Sequence, residues 1–110
     1  MIVFPWPPKD LSPNARVYWA RKAKAAKSYR RTCFYLAKEA KVTAPDEGPI
    51  NLVIEFVPPS RRSYDADNCV AQIKAGLDGL AEAMKINDRR FVLHPVVADG
   101  IGGMVKVRIE

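Results

Sequence analysis

The chain of 110 residues has a single histidine, His94, and only two cysteines, Cys33 and Cys69, which form no Cys-x-x-Cys pair. That excludes the usual zinc spacings and argues against a disulfide framework, so both thiols are expected as reduced core residues. No apolar run approaches the roughly 20 residues needed to span a bilayer. The opening MIVFPWPPKD lacks a basic stretch followed by an apolar one, so no secretory signal is expected and the predicted location is cytoplasmic. There is no Gly-rich phosphate loop and no nucleophilic Ser or Cys motif, and His94, just before Pro95, has no partner at a catalytic spacing. What these absences leave open is chemistry carried by carboxylates and cations.

Acids are also in short supply. Eighteen Lys and Arg stand against twelve Asp and Glu, a net charge of +6. Such a balance suits a polyanion, nucleic acid being the commonest, although a soluble protein can also simply be basic. The imbalance is sharpest between Arg16 and Lys41, where nine cations (Arg16, Arg21, Lys22, Lys24, Lys27, Arg30, Arg31, Lys38 and Lys41) accompany one acid, Glu39. Pairing four residues apart cannot relieve that repulsion, and bound phosphates would. A DNA-facing surface is the favoured reading over an ordinary solvated helix face.

At this length one domain, residues 1–110, is expected, with a modest core that a partner subunit would enlarge. Ile2-Val3-Phe4 reads as a short strand closed by prolines. Ser12 as N-cap with Pro13 in the first turn predicts a helix running to about Val42, its apolar face carrying Tyr18, Ala25, Tyr29, Cys33, Leu36 and Ala40. Ile50–Val57 alternates as a strand. A second helix capped by Asp67 or Asn68 follows, with Val70, Ile73, Leu77, Leu80 and Met84 on one face. After a turn at residues 86–90, strands at 91–98 and 104–109 are joined by Asp99-Gly100-Ile101-Gly102-Gly103, read as a hairpin. The order β-α-β-α-β-β describes an α+β (mixed α/β) domain with about four strands and two main helices.

The stretch with most chemistry is Arg61-Arg62-Ser63-Tyr64-Asp65-Ala66-Asp67-Asn68. Two carboxylates one residue apart, where a loop meets a helix, can aim at one point, and Mg²⁺ takes a few protein oxygens while leaving sites for water and phosphate. Arginines upstream would draw a phosphate backbone towards acids that otherwise repel it. The same residues are also good turn and capping chemistry. A calcium loop starting at Asp65 fails, since its sixth and twelfth positions would be Val70 and Gly76 rather than Gly and Glu. Lys74 and Asp78 share a stripe with Asp67; Lys74 either steadies charge on phosphate or forms a surface pair with Asp78. Asp88 alone reads as a turn residue.

Nearly end to end, the chain resembles the RusA family of Holliday junction resolvases, which are often phage-encoded. The residues that carry the likeness are Leu11-Ser12-Pro13-Asn14-Ala15-Arg16, Trp19 and the basic Lys24–Arg30 stretch, then Asp65-Ala66-Asp67-Asn68, Lys74, Leu77-Asp78-Gly79-Leu80 and Asn87-Asp88. The resemblance implies a homodimeric endonuclease that places one Mg²⁺-dependent site on each of two strands of a four-way junction, with Mn²⁺ as a substitute metal. It maps the metal-binding carboxylates onto Asp65, Asp67 and Asp88 and the catalytic lysine onto Lys74. Hydrolysis by metal-activated water is the implied mechanism. DNA contacts are expected from Asn14, Arg16, Lys24, Lys27, Arg31, Arg61, Arg62 and Asn68. Two departures stand out: Ala71 occupies the position where the family often has its lysine, and Asn87-Asp88 replaces two adjacent acids. Two other readings remain: a protein that binds branched DNA without cutting it, and a nuclease for other branched DNA.

Overall fold

The strand Ile50–Val57 organises the molecule. In this computed structural model, which describes residues 1–110, the chain runs β1 (Ile2–Pro5), α1 (Trp19–Ala40), β2 (Ile50–Val57), α2 (Ala66–Met84), β3 (Phe91–Val97) and β4 (Met104–Ile109). Short 3₁₀ turns at Lys9–Leu11 and Asp88–Arg90 complete it. Strict alternation along β2 buries Ile50, Leu52, Ile54 and Phe56 on one face. Both helices cover that face, so Tyr29 and Cys33 of α1 and Ile73, Leu77 and Leu80 of α2 meet Phe4, Val105 and Val107 in one core. The result is a two-layer α+β fold with a four-stranded mixed sheet.

The sheet order is β1-β4-β2-β3, with β4 antiparallel to both neighbours and β3 parallel to β2. This corrects the expected hairpin between the last two strands. The crossover through α2 delivers β3 alongside β2, the usual way to join parallel neighbours. β4 then enters on the other edge of β2, so the glycine-rich link steps over one strand. It is held there by hydrogen bonds from Ala98 N–H to Phe56 O (2.9 Å) and Gly103 N–H to Val57 O (3.0 Å). Gly103, at φ +77°, makes the turn that a side chain would strain. Pro95 lies on an edge strand, where a missing donor is tolerated.

The first helix begins later than its sequence suggests. Ser12 is not its N-cap: its Oγ accepts the Asn14 N–H at 3.3 Å, closing a local turn, and the helix starts only at Trp19, with Tyr18 before it extended. Consequently Tyr18 is exposed, and the buried face of α1 is Tyr29, Cys33 and Ala37 rather than a stripe reaching Ala40. The apolar face of α2 is as expected, with Ile73, Leu77 and Leu80 buried and Val70 and Met84 half-buried. Both cysteines are buried and unpaired.

The helices touch at two glycines of α2. A Cβ on Gly76 would come within 2.7 Å of the Tyr29 ring, and one on Gly79 would collide with the Arg30 carbonyl oxygen. Small residues here let α1 lie directly on α2, which brings Arg30 beside Glu82, Nη2 to Oε2 at 2.8 Å.

Candidate nucleic-acid and metal site

Asp65, not Asp67 or Asn68, caps α2. Its Oδ1 accepts the backbone N–H groups of Asp67 (2.8 Å) and Asn68 (3.3 Å), which fixes the carboxylate at the helix N-terminus. Asp67 lies in the first turn, exposed, so both acids sit where the aligned peptide dipoles favour negative charge. The approach is set by Tyr64, whose ring packs edge-on against Trp6 at 5.4 Å and whose hydroxyl is 2.9 Å from Ser60 Oγ. Arg62 lies over that ring at 5.1 Å. Tyr64 therefore anchors the loop that presents Arg62 next to Asp65.

A cleft of about 690 Å³ opens at this point, lined by Asn14, Arg16, Arg21, Arg62, Asp65 and Asn68 among others. Its second wall is the N-terminal segment. Gln72 of α2 donates its amide to Pro7 O (2.9 Å) and Pro8 O (3.1 Å), and this clip lays residues 9–17 against the start of α2. Five sequence-predicted residues thus converge although they lie some fifty positions apart in the chain: Asn14, Arg16, Arg62, Asp65 and Asn68. Arg61 lies with Arg62 in a neighbouring depression of about 570 Å³, whose other side is Asp99, Gly100 and Ile101.

Asp88 is elsewhere. It begins the 3₁₀ turn beyond the far end of α2, beside Asp78. Burial raises the Asp78 carboxyl above its usual range, and the charge and hydrogen bonding of Asp88 add to this, while Lys74 and Arg30 pull the other way. Asp67 and Asp78 are eleven positions apart on one helix, about 16 Å along its axis. No three acid, histidine or cysteine side chains of a single chain converge on one point. Within one chain, then, Asp65 and Asp67 form a pair at one end of α2, Asp88 joins Asp78 towards the other, and Lys74 lies between them near Asp78.

The basic helix is less bare than its local sequence suggests. Arg21 pairs with Asp10 (Nε to Oδ2, 2.9 Å) and Arg30 with Glu82, acids supplied by other elements and invisible to a count within the helix. Lys24, Lys27 and Arg31 are exposed and take part in none of the four ion pairs. Lys27 and Arg31 border a shallow groove with Phe34, Tyr35 and Glu82. Gln72 was not singled out from the sequence, and Arg21 and Tyr64 were named only as one of nine cations and as part of the stretch before Asp65. Only a fold that places the N-terminal segment on α2 gives them a part in the cleft. His94 lies exposed in β3 with Nε2 3.1 Å from Asn51 Oδ1, outside the cleft.

No helix of the protein is long and apolar enough to cross a membrane. No family model matches the chain. A protein of Xylella fastidiosa (strain Temecula1), described as an "Uncharacterized protein", is 44% identical over 113 aligned positions, covering 98% of this chain and 74% of that protein. Identity at this level along nearly the whole chain means that the chain belongs to the same family as this Xylella fastidiosa protein.

Proposed function

We propose that the protein is a Mg²⁺-dependent, structure-selective endodeoxyribonuclease of the RusA type, which as a homodimer cuts four-way DNA junctions in recombination and repair. The observation that carries this reading is the cleft at the start of α2, where Asp65, the helix cap, shares the lining with Arg16, Arg21 and Arg62, and Asp67 lies exposed in the adjoining first turn. A cationic wall beside a pair of acids answers two demands at once. The arginines hold a phosphodiester that the acids alone would repel, and the acids offer hard oxygen ligands to the divalent ion. One oxygen of Asp65 is committed to the backbone, leaving the other to a metal, and Asp67 is exposed.

Mg²⁺, when bound, supplies Lewis acidity at phosphate and lowers the pKa of water. The protein's own share is positional. Arg16 and Arg62 orient the strand, Asn14 and Asn68 add hydrogen bonds along it, and Lys74 meets charge that builds on the phosphate. For Asp88 to join Asp65 and Asp67 at one ion, it has to come from a second copy, because α2 keeps it at a distance within its own chain. Two copies of α2 running antiparallel about a two-fold axis would bring the N-terminal end of each to the C-terminal end of the other, making two shared sites per dimer. The single-chain separation also favours a second reading: a branched-DNA-binding protein that does not cut.

A synthetic four-way junction and a linear duplex of the same sequence, with Mg²⁺ or EDTA, separate these readings. The nuclease reading predicts paired symmetric nicks on the junction only. EDTA and Asp67→Asn should each abolish them, the variant still binding the junction. Tight junction binding without cutting under Mg²⁺ or Mn²⁺ would leave the binding protein.

A further inference from the structure

Three exposed aromatic residues lie outside both the core and the carboxylate site; Tyr35 borders the shallow groove midway along α1, and the other two adjoin the cleft. Tyr18 and Trp19, at the start of α1, are 68% and 72% exposed, with ring centroids 5.5 Å apart and planes tilted by 40°. The chain buries a tyrosine of the same helix, Tyr29, almost completely, so it does not lack a place for such rings. Their position explains the exposure. Arg16 and Val17 immediately before the pair, and Arg21 just after it, all line the cleft that holds Asp65. Asp10, also in the cleft lining, pairs with Arg21, but no acid lies in the first turn of α1, and Arg16 and Lys22 are exposed cations outside any ion pair.

Charge selects the occupant. Flat apolar faces set among arginines match a nucleobase attached to phosphates: rings stack on bases without regard to sequence while the cations follow the backbone. A closed duplex hides base faces within its own stack, and only an unpaired base offers one. We infer that Tyr18 and Trp19 form a stacking platform for an unpaired DNA base next to the strand held over Asp65 and Asp67. This deepens the nuclease reading and rests on it: the platform would recognise bases opened at a branch point and so contribute to branch selectivity.

Tryptophan emission tests the platform without cleavage. In EDTA, the protein is titrated with a labelled single strand, a four-way junction carrying two unpaired nucleotides at its centre, and a linear duplex. DNA anisotropy reports binding independently. Trp6 is packed against Phe56 and Tyr64, and Trp19→Phe leaves it as the sole emitter and therefore the background. The expected result is quenching of Trp19 by the single strand and the open junction but not by the duplex, absent in Trp19→Phe. Trp19→Ala should weaken binding of unpaired DNA about tenfold and leave duplex affinity unchanged. Binding with unchanged Trp19 emission would overturn the platform and leave the nuclease reading standing. Equal loss of single-strand and duplex affinity in Trp19→Ala would do the same, as would Trp19 emission that shifts with protein concentration but not with DNA, which would assign the pair to a contact between protein copies. No anisotropy change with any DNA would overturn both.

Discussion

Tyr29 shows how much one side chain settles. Its ring fills the space over Gly76, and its hydroxyl donates to the Pro5 carbonyl at 2.7 Å, tying α1 to the end of β1. Replacing it with Phe keeps the ring and leaves that part-buried carbonyl without its partner. Tyr29→Phe should therefore cost about 1–2 kcal/mol in urea unfolding, with the slope of the transition unchanged. Its neighbour Cys33 has a thiol pushed up from 9.0 to about 12, by burial first, with the hydrogen bond to Tyr29 working in the opposite direction. The native state thus binds a proton that the unfolded chain releases above pH 9. Stability should be unaffected by this group below pH 9 and fall as the pH rises from there towards 12. Thermal melts between pH 7 and 11 would follow the fall, and Cys33→Ala should flatten it, although Tyr29, whose pKa burial raises further, contributes in the same direction. A native thiol that reacts with a disulfide reagent at pH 8 as fast as in urea would contradict that burial.

At the scale of elements, the contact between α1 and α2 decides the site's layout. Gly79→Ala would drive a methyl group into the Arg30 carbonyl, and backbone cannot swing aside as a flexible side chain can. The helices must separate, at a cost of about 1–3 kcal/mol. The expected outcome is a lowered melting temperature together with weaker DNA binding, since Arg30 and the rest of the basic face move with α1. An unchanged melting temperature would mean that the helices are not in such close contact. Much at this scale was legible beforehand. The alternation in β2 and the spacing of Ile73, Leu77 and Leu80 identify the buried faces, because burial is what sets those periods. The start of α1 and the strand order were not. Ser12-Pro13 is an equally good signal for a turn, and turn is what it makes. A glycine-rich link between two strands resembles a hairpin whether or not a third strand lies between its ends.

For the whole molecule, the separation of the acids along α2 has the widest consequence. The spacing Asp-x-Asp-Asn was enough to place Asp65 and Asp67 together, because two residues at a helix start are close in any fold. Nothing local could place Asp88, and the fold sets it beside Asp78 at the other end of the helix. The sheet's uncovered face, with Val3, Val92 and Val96 exposed, is the wrong surface for assembling a shared site. Copies joined back to back through it would hold their helices, and hence their carboxylates, on opposite outer surfaces. On the proposed shared-site reading the helix layer would supply the interface, and a dimer formed there would also add to the modest buried area of a chain of this size.

Subunit mixing tests the shared site most directly. Asp67→Asn and Asp88→Asn proteins, each expected to be inactive alone, are co-expressed, purified together and assayed for Mg²⁺-dependent nicking of a four-way junction. In a mixed dimer one site combines both substitutions, and the other takes intact Asp65 and Asp67 from one copy and intact Asp88 from its partner. The prediction is nicking at about a quarter of the wild-type rate, since about half the dimers are mixed and each has one working site of two. Those nicks should be single rather than paired. Wild type that cuts while the mixture stays as inactive as either variant alone would contradict a site assembled from two copies.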